Sequence, residues 1–137
     1  MSELKILNEG VRYSHGTVGS LSGFDGKVFV KDGLKETSCE ISFGMLAPGQ
    51  MVPFFHSHKE NEENYIVLSG CGLFQIDDDV FPVYEGSVVR VATNCDRNIK
   101  NTAQQGNLTY VCIQAKEGSL NSYTMTDAEI TVRESKI

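Results

Sequence analysis

Short strand-like segments separated by turn residues run through most of the chain. Turns such as Asp32-Gly33, Pro48-Gly49 and Glu85-Gly86 divide them, and glycine in these turns supplies backbone conformations that other residues avoid. Helical periodicity is nearly absent, and regularly spaced short strands are typical of a closed β-barrel or a β-sandwich. The predicted strands are 27–30, 38–46, 51–58, 64–68, 72–76, 80–83, 87–92, 97–101 and 108–114.

Composition and charge exclude several classes of function. The chain has 137 residues, of which 40% are hydrophobic and 22% charged, as in a single globular domain. Its net charge of −6 argues against binding to nucleic acid or to an anionic membrane surface. We find neither a membrane-spanning apolar run nor a signal peptide, and the cysteines form no Cys-x-x-Cys pair. We therefore expect a cytoplasmic protein with free thiols.

Three regions differ in composition. Residues 1–24 are rich in glycine and serine, and we interpret them as an N-terminal arm that packs on the strand-rich region or reaches a partner subunit. Residues 25–116 hold the predicted strands, and residues 117–137 form a polar C-terminal tail.

Two histidines one residue apart, His56 and His58, are followed closely by Glu63. On a strand, residues i and i+2 point to the same face, so both imidazoles are expected to point to one spot. A chain reversal over residues 59–62 would bring Glu63 to it. Two imidazoles and a carboxylate suit a first-row metal ion, and these three residues are the predicted ligands. His15, in the arm, is interpreted as a surface residue.

These residues resemble the first motif of the cupin superfamily. That motif is a glycine, then His-x-His, then a glutamate and a further glycine; here it reads Gly49, His56-Ser57-His58, Glu63 and Gly70. The spacing to Gly70 selects Glu63 over Glu62. The resemblance implies an all-β, single-domain cupin β-barrel (a double-stranded β-helix or jelly roll) over residues 25–116, with its site in the barrel mouth. It also implies a homodimer.

The second cupin motif is altered at its metal ligand. When Gly86 and Asn101 are aligned with the motif, Ala92 replaces its proline, Asn94 its glycine and Arg97 its histidine. A guanidinium stays protonated and offers only donors, so it cannot ligate a metal. At about 5 Å from a divalent ion, and at an effective dielectric of about 20, its charge would be repelled by roughly 6–7 kcal/mol. An anion between them is therefore required.

Three arrangements of Arg97 stay open at this point. In the first, the metal is held by His56, His58 and Glu63, and Arg97 clamps an acidic substrate beside it. In the second, Arg97 replaces the metal and forms a bidentate pair with Glu63. In the third, Arg97 turns out of the barrel mouth. Strand alternation predicts an inward side chain.

The same alternation predicts further residues of a ligand pocket. Phe54 shares a face with the histidines, and Tyr65 shares a face with Glu63. Gln114 lies on one face of the last strand, which would make it a polar pocket residue if that face is internal. The predicted substrate-binding set is Arg97, Phe54, Tyr65 and Gln114.

Two functional classes follow. One is a metal-dependent enzyme, such as a dioxygenase or isomerase, that acts on a small anionic molecule with zinc, iron, nickel or manganese. The other is a non-catalytic cupin that binds a small ligand, with Arg97 paired to Glu63 and no metal held. No catalytic residue is assigned, because no general base is evident apart from Glu63.

Overall fold

The computed structural model describes residues 1–137, which form an antiparallel, nearly all-β barrel, as predicted. The single short α-helix, α1, spans Lys31–Leu34, and 3₁₀ turns span Leu21–Gly23 and Thr124–Thr126. The strands are β1 (Lys5–Glu9), β2 (Ser14–Thr17), β3 (Lys27–Phe29), β4 (Glu40–Leu46), β5 (Asn61–Ser69), β6 (Cys71–Ile76), β7 (Asp79–Tyr84), β8 (Val88–Val91), β9 (Arg97–Asn101) and β10 (Leu108–Lys116).

The barrel consists of two antiparallel sheets. One has five strands in the order β3-β4-β10-β5-β8, and the other has three in the order β7-β6-β9. Alternate residues of β5, from Glu63 through Tyr65 to Val67, are buried, as the two-residue period of a strand requires. Phe74 on β6 and Leu108 on β10 are fully buried within the same core. The inner faces of both sheets therefore share one core, and the site lies at one end of it.

The N-terminal residues form a separate two-stranded hairpin of β1 and β2. It lies against α1, where the Ser14 hydroxyl donates to the Leu34 carbonyl at 2.8 Å. A second, smaller cluster of buried apolar residues, centred on Phe24, Val28 and Val30, lies under this region. The arm therefore packs on its own barrel. No helix is long and apolar enough to span a membrane.

The predicted strand over 51–58 is wrong. Only two isolated bridges form there, Met51 with Lys100 and His56 with Arg97. Pro53 has no N–H to donate to a ladder, and the Asn98 side-chain amide instead donates to the Val52 and Phe54 carbonyls, at 2.9 and 3.2 Å. This irregular segment still carries both histidines to the barrel mouth. The other predicted strands form, with ends shifted by at most a few residues.

Candidate metal centre

A cavity of about 530 Å³ opens at the barrel mouth, a size typical of small-molecule sites. Strands of both sheets and the irregular segment before β5 contribute to its walls. The lining residues are Lys27, Phe29, Glu40, Ser42, Val52, Phe54, His56, His58, Glu63, Tyr65, Phe74, Arg97, Asn98, Ile99, Tyr110, Cys112 and Gln114.

His56, His58 and Glu63 meet on one side of this cavity. One potential ligand atom from each lies within 4.8 Å of the others. The Nε2 atom of His56 is 3.5 Å from Glu63 Oε1, and the Nε2 atom of His58 is 3.3 Å from Glu63 Oε2. The prediction that these three side chains converge is confirmed.

Both oxygens of the Glu63 carboxylate are held by buried donors. The Tyr65 hydroxyl donates to Oε1 at 2.9 Å, and the Cys112 thiol donates to Oε2 at 3.2 Å. Burial by itself raises the pKa of Glu63, but these two hydrogen bonds and the charges of His58 and Arg97 outweigh it, so the pKa is lowered. The carboxylate is therefore ionised and oriented at neutral pH, as a metal ligand must be.

The two donors themselves stay neutral. Burial, with the nearby Glu63 charge, raises the pKa of Cys112 to about 12. The pKa of Tyr65 is also raised, chiefly by burial. Neither group supplies a second negative charge at physiological pH.

The two imidazoles each bear on metal binding through a different observation. Burial, with the charges of Arg97 and His58, lowers the pKa of His56 against the opposing effect of Glu63, so its ring is neutral at pH 7. His58 Nε2 is buried without a hydrogen-bond partner. A buried polar atom without a partner destabilises the folded protein unless a ligand binds to it. Two imidazoles and one carboxylate fit zinc, iron, nickel or manganese alike.

Arg97 reaches the same centre from β9. Its side chain is 1% exposed, so the alternative in which it turns out of the mouth is wrong. Its Nη1 donates to the His56 carbonyl at 3.0 Å, and its Nε lies 3.5 Å from Glu63 Oε1. Nη2 has no partner. The pair with Glu63 is therefore a single contact, not the bidentate pair expected under the second alternative.

The other predicted pocket residues all line the cavity. Phe54 stands at the mouth and is 60% exposed, whereas Tyr65 is buried and bonded to Glu63. Gln114 accepts from the Asn61 amide at 2.7 Å. Their roles toward a ligand stay predictions. His15 is exposed on β2, hydrogen-bonds Asn8 at 2.7 Å and lies outside the cavity.

The sequence does not by itself place Cys112, Lys27 or Asn98 at the site. Cys112 lies in an apolar run, as a core residue would, and nothing local signals its bond to Glu63 across the β5–β10 ladder. Lys27 belongs to a strand nearly forty positions before Glu63, so only the closed barrel brings it to the cavity. Asn98 adjoins Arg97, and its polar side chain in a buried strand was an available signal.

Comparison with known proteins identifies this architecture. The family model of the cupin domain matches residues 42–114. A crystal structure of a cupin protein from Bacteroides fragilis is 38% identical, with a TM-score of 0.81, and the match covers 88% of this chain and 98% of that one. No curated protein matches the chain.

More distant structures share the fold alone. A cupin 2 conserved barrel domain protein from Salinispora arenicola is 21% identical, with a TM-score of 0.53 over 59% of this chain and 66% of that one. A protein from Acidithiobacillus ferrooxidans, proposed to be a sugar phosphate isomerase, is 23% identical, with a TM-score of 0.59 over 66% of this chain and 58% of that one. The homodimer and the cytoplasmic location stay predictions.

Proposed function

This chain belongs to the cupin family, and from that membership we propose that its cavity binds a divalent transition metal and acts on a small anionic molecule beside it. His56, His58 and Glu63 would hold the metal. The observation that carries the proposal is the convergence of their donor atoms within 4.8 Å. The carboxylate in that set is already ionised and anchored by two hydrogen bonds.

A metal on these three residues would keep open positions, and it would supply Lewis acidity or an acidified water. The chain itself supplies the rest. Tyr65 and Cys112 keep the Glu63 carboxylate in one orientation, and apolar walls that include Phe74 and Ile99 exclude water from around it. Low polarity strengthens each charge interaction inside the cavity.

Arg97 is the group that binds the anion. Its guanidinium is buried, and Nη2 is left without a hydrogen-bond partner, so it has donor capacity for a carboxylate or phosphate oxygen. Glu63 offsets its charge only through the contact at 3.5 Å. A divalent ion beside this pair leaves excess positive charge, and a bound acid is the species that neutralises it. The reaction proposed for that acid is an oxidation by O₂, as in a dioxygenase, or an isomerisation.

Metal stoichiometry tests this proposal. Purified protein, stripped with chelator and then titrated with zinc, iron(II), nickel or manganese in a calorimeter, is expected to bind about one equivalent. His58→Ala is expected to lower the affinity for the metal at least about tenfold while circular dichroism stays unchanged. Glu62→Ala is the matched control, because Glu62 pairs with Arg90 at 3.0 Å outside the cavity. A protein that takes up no metal from any of the four salts would overturn the proposal.

A second function is favoured by the Arg97–Glu63 contact at 3.5 Å. In that arrangement the guanidinium supplies the positive charge that a metal would supply, and the cavity binds a small anion without catalysis. The two functions differ in their response to chelation. Anion binding by the metal-free protein should equal that of the untreated protein if Arg97 alone is sufficient, and should fall if the metal takes part.

A further inference from the structure

A second cation, Lys27, lines the cavity and is not one of the residues that converge at the candidate metal centre. Lys27 lies on β3, and two strands, β4 and β10, separate β3 from β5, which carries Glu63. Lys27 and Phe29 both line the cavity, while Val28 between them is buried in the other cluster. Strand alternation therefore turns the lysine toward the cavity.

The ammonium of Lys27 lies over aromatic rings without a neutralising partner. Its Nζ is 5.3 Å from the centroid of the Phe29 ring and 5.6 Å from that of Tyr110, which is within range of a cation–π interaction. No carboxylate lies within the 4.0 Å that defines an ion pair, although Glu40 lines the same cavity. The Lys27 side chain is exposed, so its positive charge is left available to a ligand in the cavity that it lines.

With a divalent metal bound, a dianionic ligand would balance the formal charges of the cavity. Lys27 and Arg97 offset Glu40 and Glu63, so the two charges of a divalent metal are left over. A monocarboxylate removes one of them and a dicarboxylate removes both. The cavity that both cations line also has apolar wall residues, which include Val52, Phe74 and Ile99, and such walls match a hydrocarbon segment better than a sugar.

We propose that the ligand is a small diacid with an apolar middle, one acidic group lying on Arg97 beside the metal site and the other on Lys27. This proposal rests on the proposed function for the first anionic end and adds the second. It assigns Lys27 as a residue that determines specificity by selecting diacids over monoacids of the same length.

A ligand series with variants of Lys27 tests it. Metal-loaded protein is titrated with dicarboxylates from succinate to suberate and with monocarboxylates of the same carbon number, and affinities are compared within each pair. Wild-type protein should bind at least one diacid about three- to fivefold more tightly than its monoacid, the effect of one partly exposed ion pair. In Lys27→Met this preference should disappear while monoacid affinity is retained.

Lys100→Met is the matched control, because it removes the same charge from an exposed lysine of β9 that does not line this cavity. The preference for diacids should survive in it. A wild-type protein without the preference, a preference that survives in Lys27→Met, or an equal loss in Lys100→Met would overturn the inference. Monoacid binding with metal uptake, but without diacid preference, would leave the proposed function standing. If the protein bound one equivalent of metal but no acid, both the diacid ligand and the anionic substrate of the proposed function would be wrong.

Discussion

The two walls of the cavity that face the candidate metal centre are built differently. On the Glu63 wall, formed by Glu63, Tyr65 and Cys112, both carboxylate oxygens accept hydrogen bonds from buried donors. On the Arg97 wall, formed by Arg97 and His56, the guanidinium makes one hydrogen bond to a carbonyl, and two of its nitrogens are buried without a hydrogen-bond partner.

The hydrogen bonds of the Glu63 carboxylate are complete, whereas the Arg97 guanidinium still has donors that can bind a ligand. A carboxylate with both oxygens bonded loses little freedom when a metal arrives, because its orientation is already set. Buried donors without partners carry a cost in the free protein, and an incoming anion can relieve that cost. Under the proposed function, the Glu63 wall would orient the metal ligand, and the Arg97 wall would bind the anion.

Removing the central charge of each wall should give unequal losses of stability. Glu63→Ala leaves Arg97 buried with no counter-charge, and breaking a buried pair in this way costs about 3–5 kcal/mol. Arg97→Met leaves Glu63 with both of its hydrogen bonds and also removes two unpartnered donors, so a loss of about 1–2 kcal/mol is expected. Urea unfolding of the chelator-treated proteins measures both.

A half-buried carboxylate on the same strand, outside the cavity, provides the control. Glu62 forms an ion pair with Arg90 on the surface, and Glu62→Ala should cost no more than about 1 kcal/mol. If Arg97→Met destabilised the protein as much as Glu63→Ala, the two walls would be energetically equivalent and the contrast between them would fail.

A comparison of two buried tyrosines tests whether a single hydroxyl group stabilises the Glu63 wall. Tyr65 and Tyr110 pack with ring centroids 6.0 Å apart, and both are buried, but only Tyr65 bonds the carboxylate. Tyr65→Phe removes a hydrogen bond to a charged group, which costs about 1.5–2 kcal/mol, and should weaken metal binding. Tyr110→Phe should change the free energy of unfolding by less than about 0.5 kcal/mol. Equal losses for the two variants would show that the hydroxyl bond does not stabilise the wall.

Most strands of the barrel are predictable from the sequence, because successive side chains of a strand point to opposite faces of the sheet. The strand predicted over 97–101 forms as Arg97–Asn101, and Arg97 points inward as alternation requires. The prediction failed over 51–58, where Pro53 and the Asn98 side chain replace a regular ladder. A proline that interrupts an otherwise alternating pattern was the signal for that irregularity.

The candidate site was predictable where its members are close in sequence. His56, His58 and Glu63 lie within one turn and its flanks, so their spacing already implied convergence. Cys112 and Lys27 reach the cavity only through the pairing of β10 with β5 and of β3 with β4. Both pairings join strands that are far apart in the sequence, and no local pattern reports which distant strands become neighbours.

The smallest expected effect is on the pH dependence of stability. The pKa of Glu63 is lowered in the folded protein from an ordinary value of 4.5. The unfolded chain therefore binds more protons as the pH falls through about 4.5, so stability gained from the ionised carboxylate is present above that pH and is lost below it. Each unit of pKa difference corresponds to about 1.4 kcal/mol.

Urea midpoints of wild type and Glu63→Gln, measured with chelator from pH 6 to pH 3.5, should converge as the pH falls, because the variant has no carboxylate to protonate. The pKa of His56 is lowered from 6.5, chiefly by burial. Protonation of His56 therefore reduces the stability of the fold as the pH falls below about 6.5, which is a higher pH range than that of Glu63. A constant separation of the two curves between pH 5 and pH 3.5 would show that Glu63 is not held ionised by its wall.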